Sequence, residues 1–182
     1  MNKFINPRMI AMICIIYLMC GNLNAQIENS SGLDIGFQLS EVGGDFGYGL
    51  NLSSPRIFRE SVQIRLRANA MLFDYVENSE TAYTPYFSFL LGASSATAKI
   101  SEVIGLYGEG GVAFILPSDE VSSEQLHIGG YGIFGFEFYF FDGFTYFLEA
   151  GGVGIEAKTD RLPIKQNYFN GFLTTVGLKV KL

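Results

Sequence analysis

From Ser61 to Leu72 the chain alternates without a break. Val62, Ile64, Leu66, Ala68, Ala70 and Leu72 fall on one side, and Gln63, Arg65, Arg67 and Asn69 on the other. Successive side chains of a β-strand point to opposite faces, so a period of two predicts a strand with one apolar and one polar face. The device returns about eight times along the chain, and sustained 3.6-residue periodicity is hard to find. Leu33–Ser40 sets Leu33, Ile35, Phe37 and Leu39 against Asp34, Gly36, Gln38 and Ser40. Asp45–Ser53 sets Phe46, Tyr48, Leu50 and Leu52 against Gly47, Gly49 and Asn51. Tyr83–Leu91 sets Phe87, Phe89 and Leu91 against Thr84, Tyr86 and Ser88, with Pro85 near its start, where a missing N–H is tolerated.

Four more segments complete the set. Val103–Leu116 opposes Ile104, Leu106, Val112, Phe114 and Leu116 to Tyr107, Glu109, Gly111 and Ala113. Gln125–Phe141 opposes Leu126, Ile128, Phe134, Phe136, Phe138 and Phe140 to His127, Gly129, Tyr131, Gly135 and Glu137. Phe144–Ala157 opposes Tyr146, Leu148 and Ala150 to Thr145, Glu149 and Gly151. Tyr168–Leu182 opposes Phe172, Val176, Leu178, Val180 and Leu182 to Thr175, Gly177, Lys179 and Lys181. Phe147 and Leu173 fall on the polar side, and Glu156 falls on the apolar side near a strand end. Glu41–Gly44 and Asp142–Gly143 read as tight turns, whereas Tyr75–Ala82, Pro117–Glu124 and Lys158–Asn167 read as longer polar loops.

The polar face decides what surrounds such a sheet. It carries Gly, Ser, Thr, Tyr and isolated charges rather than the dense Lys and Glu of a water-facing sheet. Small residues suit the interior of a narrow barrel, which has room for side chains and little else. The other face is Leu, Val, Ile and Phe, which suits lipid. Aromatics toward strand ends, Tyr83 and Tyr168 at one rim and Phe138, Phe140 and Tyr146 at the other, suggest interfacial girdles. The pattern therefore predicts an all-β fold, an eight-stranded antiparallel up-and-down transmembrane β-barrel. A soluble exported barrel of lipocalin type, holding a small ligand, is the alternative.

The N-terminus supports export. Lys3 and Arg8 precede an apolar run, Met9–Cys20, that is shorter than the roughly 20 residues a spanning helix needs. Gly21–Ala25 then offers a cleavage site, so residues 1–25 read as a cleaved signal peptide, 26–31 as a short N-terminal segment and 32–182 as the barrel. Both cysteines, Cys14 and Cys20, leave with the signal, and Cys20 also raises lipidation. The mature chain then has no thiol for a disulfide or a metal. Losing Lys3 and Arg8 moves the formal charge from −6 to −8, which speaks against a nucleic-acid partner.

Gly130–Phe140 (GYGIFGFEFYF), the Asp142–Gly143 turn and Phe144–Gly154 (FTYFLEAGGVG) resemble the outer-membrane β-barrel domain of Bacteroidetes. In shape the chain is similar to the small eight-stranded barrels of the OmpA/OmpX type, over roughly Gly32 to Leu182. The resemblance implies an outer-membrane location, with lipid and the outer-membrane assembly machinery as partners. It implies no single activity. Such proteins usually end in an aromatic residue, and this one ends Lys181-Leu182.

The charges on the polar face are the candidate site: Arg65, Arg67, Glu109, Glu137, Glu149 and Lys179, with Lys181 near the end. Buried charges must be paired, so the bland expectation is a structural network inside the barrel, with Arg65 and Arg67 in reach of Glu137 or Glu149. An ion path is the functional alternative. Glu137 and Glu149 also suggest an acid/base pair, although a tight hairpin alone brings them near each other. His127, with Ser122, Ser123 and Asp119 close in sequence, offers the parts of a lipid-modifying site. Gly130–Gly135 spells G-x-G-x-x-G, but it lies inside a strand and lacks the helix that a dinucleotide site needs. The reading favours a non-enzymatic structural or surface-interaction protein without cofactors, with an unidentified partner possible at the acidic loops of Glu77, Glu80, Asp119, Glu120 and Glu124.

Overall fold

The computed structural model describes residues 32–77, 80–141, 143–162 and 167–182. The expected signal peptide, both cysteines, residues 26–31 and Asp142 lie outside the described residues. Nine strands are described: β1 (Asp34–Val42), β2 (Asp45–Ser53), β3 (Val62–Glu77), β4 (Glu80–Ser95), β5 (Ala98–Lys99), β6 (Ile104–Leu116), β7 (His127–Phe141), β8 (Phe144–Gly154) and β9 (Gly171–Lys181). β5 is a two-residue stub that pairs with β6 only. The other eight form a ring, each antiparallel to both neighbours, closed by the pairing of β1 with β9 and of β4 with β6. The fold is a closed eight-stranded antiparallel β-barrel, and closure removes the sheet edges that an open sheet leaves unpaired.

The alternation sorts the side chains as the sequence predicts. β1 and β2 switch between buried and exposed at every residue. The apolar set points outward: Leu50 is 58% exposed and Phe134 70%. The polar set points inward: Arg67 is 1% exposed and Glu149 0%. A water-soluble fold buries the first set and exposes the second.

Local sequence explains the turns. Gly43 and Gly44 both have positive φ, 61° and 106°, as a two-residue hairpin with primed-turn twist requires. Between β2 and β3 the chain uses Phe58, Arg59 and Glu60 at φ of 49°, 60° and 64°. Each such residue costs about 1–2 kcal/mol, so this connector is held by its surroundings. It is pinned by the Ile57–Val62 bridge and by Ser54 N–H donating to the Ile64 carbonyl at 2.8 Å.

Three expectations need correction. The segment Tyr75–Ala82 is not mainly a loop: β3 and β4 run on to the Glu77–Glu80 pair. Phe73, Tyr75 and Tyr83 are good strand residues and outweigh the polar composition of the tip. Tyr168–Asn170 is not strand, and Ile155–Ala157 lies beyond the end of β8. Tyr168 and Phe169 are both buried, at 2% and 1% exposure, and an extended strand cannot turn two successive side chains inward. Phe169 accordingly sits at φ 50°. Tyr168 is therefore no part of an outer aromatic rim; it packs inside against Phe73, Tyr86 and His127.

The interior divides along its length. The half nearer Leu33 and Leu182, called lower here, holds the charged side chains. The upper half, under the β6–β7 and β8–β9 connectors, holds an apolar cluster of Met71, Phe73, Tyr86, Leu90, Ile115 and Ile133, with Tyr168, Phe169 and Leu173 from the β8–β9 side. Glycines make room for the large inward side chains on the next strand. A Cβ on Gly135 would lie 2.2 Å from the Tyr107 ring, and one on Gly177 2.2 Å from Phe147.

Candidate functional site

Arg65 and Arg67 are two residues apart on β3, so both enter the barrel and stand about 7 Å apart along the strand. In a ring of eight, β3 faces β8 across the lumen. Glu149 projects from β8, and its carboxylate meets both arginines. Arg65 Nη1 donates to it at 3.1 Å, and Arg67 donates through Nη2 at 2.8 Å and also through Nη1. Glu109 on β6 is the second shared anion, 2.8 Å from Arg67 Nη2 and 2.9 Å from Arg65 Nη1. Tyr131 donates to Glu109 at 2.7 Å, and Tyr107 donates to Glu149. The Arg65 guanidinium lies 4.8 Å from the centre of the Tyr107 ring.

A second cluster lies just below. Lys179 on β9 donates to Glu137 on β7, which also accepts from Thr97 at 3.0 Å and from Tyr139. Arg65 Nη2 stands 4.0 Å from Glu137 and so links the clusters. Asp34 is 3.9 Å from Lys179 and accepts from Gln63 at 3.1 Å. Above the arginines the charges give way to amides and hydroxyls. Gln38 donates to Asn69 at 2.7 Å, Asn51 to Gln38 at 3.2 Å, and Asn69 to Ser88 at 3.2 Å.

The six candidate residues thus converge, three cations on three carboxylates. Taking such charges out of water costs several kcal/mol per ion, and only close pairing with additional hydrogen bonds offsets it. The carboxylates of Glu137 and Glu149 are each occupied by a cation and a hydroxyl, which leaves neither as an unengaged acid or base.

His127 and its sequence neighbours Ser122, Ser123 and Asp119 each engage different partners. His127 is buried, with Nδ1 3.2 Å from the Glu124 carboxylate and its ring edge-on to Tyr168. Ser123 donates its hydroxyl to Asp160 of the β8–β9 connector. Ser122 Oγ accepts from Glu124 N–H at 3.2 Å, and the Asp119 carbonyl accepts from Arg161. These contacts tie two connectors together. Asp119, Glu120 and Glu124 are exposed, while the Glu77 and Glu80 side chains lie outside what is described.

One functional residue escaped the sequence reading. Asp45, the first residue of β2, is buried and accepts from Tyr86 Oη at 2.6 Å and from Phe169 N–H at 3.0 Å. It ties the inward strap at Tyr168–Phe169 to the barrel. As the first residue of the Asp45–Ser53 strand it is assigned to neither face, and Phe169, which donates to it, lies 124 positions away.

No family model matches the chain, and no curated protein matches it. Solved structures do. The N-terminal β-barrel domain of Pseudomonas aeruginosa OprF aligns over 85% of this chain and 100% of that domain, with 12% identity and a TM-score of 0.57. Ail, the attachment invasion locus protein of Yersinia pestis, aligns over 82% of this chain and 95% of its own, with 16% identity and a TM-score of 0.42. At such identities the likeness to the OprF domain is one of fold.

Proposed function

We propose that the chain is an integral outer-membrane barrel with a structural or surface-interaction role, that it is not an enzyme, and that its lumen is filled by side chains rather than open. The outward face carries the proposal. Phe37, Leu50, Phe87, Phe134 and Leu148 are among many large apolar side chains that stand exposed around the ring, far more than a soluble protein presents to water. Lipid is the solvent that suits them, and a closed barrel satisfies its backbone there without help from water. Below them, Phe140, Phe144 and Tyr146 are exposed near the lower rim, while Tyr83 is exposed at the upper. The signal-peptide reading of residues 1–25 supports the same compartment, with the outer-membrane assembly machinery as the route in.

The filled lumen rests on the arginine–glutamate knot and on the apolar cluster above it. Eight strands enclose just enough space for side chains. The test is fractionation together with gel mobility. The folded protein should sediment with outer membranes, require detergent for extraction, and run at a different mobility before and after boiling. Recovery as a soluble protein without detergent would refute the reading and favour the exported ligand carrier. Loss of a lipid-modifying activity in His127→Ala would overturn the non-enzyme part.

A further inference from the structure

We draw no further inference here: the strongest candidate, the apolar groove on the outer face of β2, β3 and β4, floored by Ala68 and Ala70 and walled by Tyr48, Leu50, Phe87 and Phe89, carries nothing because nothing in the structure shows what covers it.

Discussion

The two halves of the lumen are lined by the same strands and built on opposite principles. In the lower half Arg65, Arg67, Glu109, Glu137, Glu149 and Lys179 are joined by directional, charge-assisted bonds. In the upper half Met71, Phe73, Leu90, Ile115, Ile133 and Leu173 fill space without direction. Between them lies a thin amide layer of Gln38, Asn51 and Asn69. A pleated strand dictates which side chains point inward and leaves their chemistry open, so one barrel can be closed by a charged knot at one level and by packing at another. The two levels should fail differently. The knot should tolerate no change of charge, however small in volume, whereas the cluster should tolerate a change of shape that keeps its volume.

The largest expected effect is therefore on the knot. Glu149→Gln keeps the volume and removes the charge, which leaves Arg65 and Arg67 with one shared carboxylate. Breaking a buried pair in this way costs about 3–5 kcal/mol, to be read as a fall in the urea midpoint in micelles. A loss under about 1 kcal/mol would mean that the knot is not a strut. In the cluster the matched pair is Leu90→Ala and Ile115→Leu. The first should cost about 2–5 kcal/mol through the cavity it leaves, and the second less than about 1.5 kcal/mol. Equal losses from the two would erase the contrast between the halves.

Asp45→Ala comes next. It strips the acceptor from Tyr86 Oη and Phe169 N–H, and hydrogen bonds to charged groups are worth about 1.5–3 kcal/mol. The expected sign is faster proteolysis between β8 and β9 with the barrel itself intact. The smallest effect lies at Asp160, whose carboxyl is held below its ordinary value of 3.8 chiefly by the Ser123 hydroxyl and amide. Its folded value is depressed, so its contribution is complete above the ordinary value and is lost as pH falls through the folded one. Asp160→Asn should abolish a small acid-dependent loosening of the connectors, seen by amide exchange on Ser123, and should leave the neutral-pH barrel unchanged.

How much of this was legible in the chain follows the same division. Ser61–Leu72 and Asp45–Ser53 declared both faces, because one was apolar and the other polar or small. The charged knot was legible for the same reason: Arg65, Arg67, Glu109 and Glu149 stand out among glycines and hydroxyls. The apolar cluster was not. Met71, Leu90, Ile115 and Ile133 point inward between outward apolar neighbours, so alternation loses its contrast there. The strap was missed because Tyr168 and Phe169 look like the opening of a strand, and only their joint burial shows that the ladder has ended.

The central claim is that a charged knot below and a packed cluster above close a lipid-facing barrel. Conductance of the purified protein in a planar lipid bilayer tests it most directly. The account predicts that the barrel inserts, as judged by its heat-dependent gel shift after recovery, and carries no steady ohmic current. A stable, voltage-independent open conductance from the native chain would contradict it.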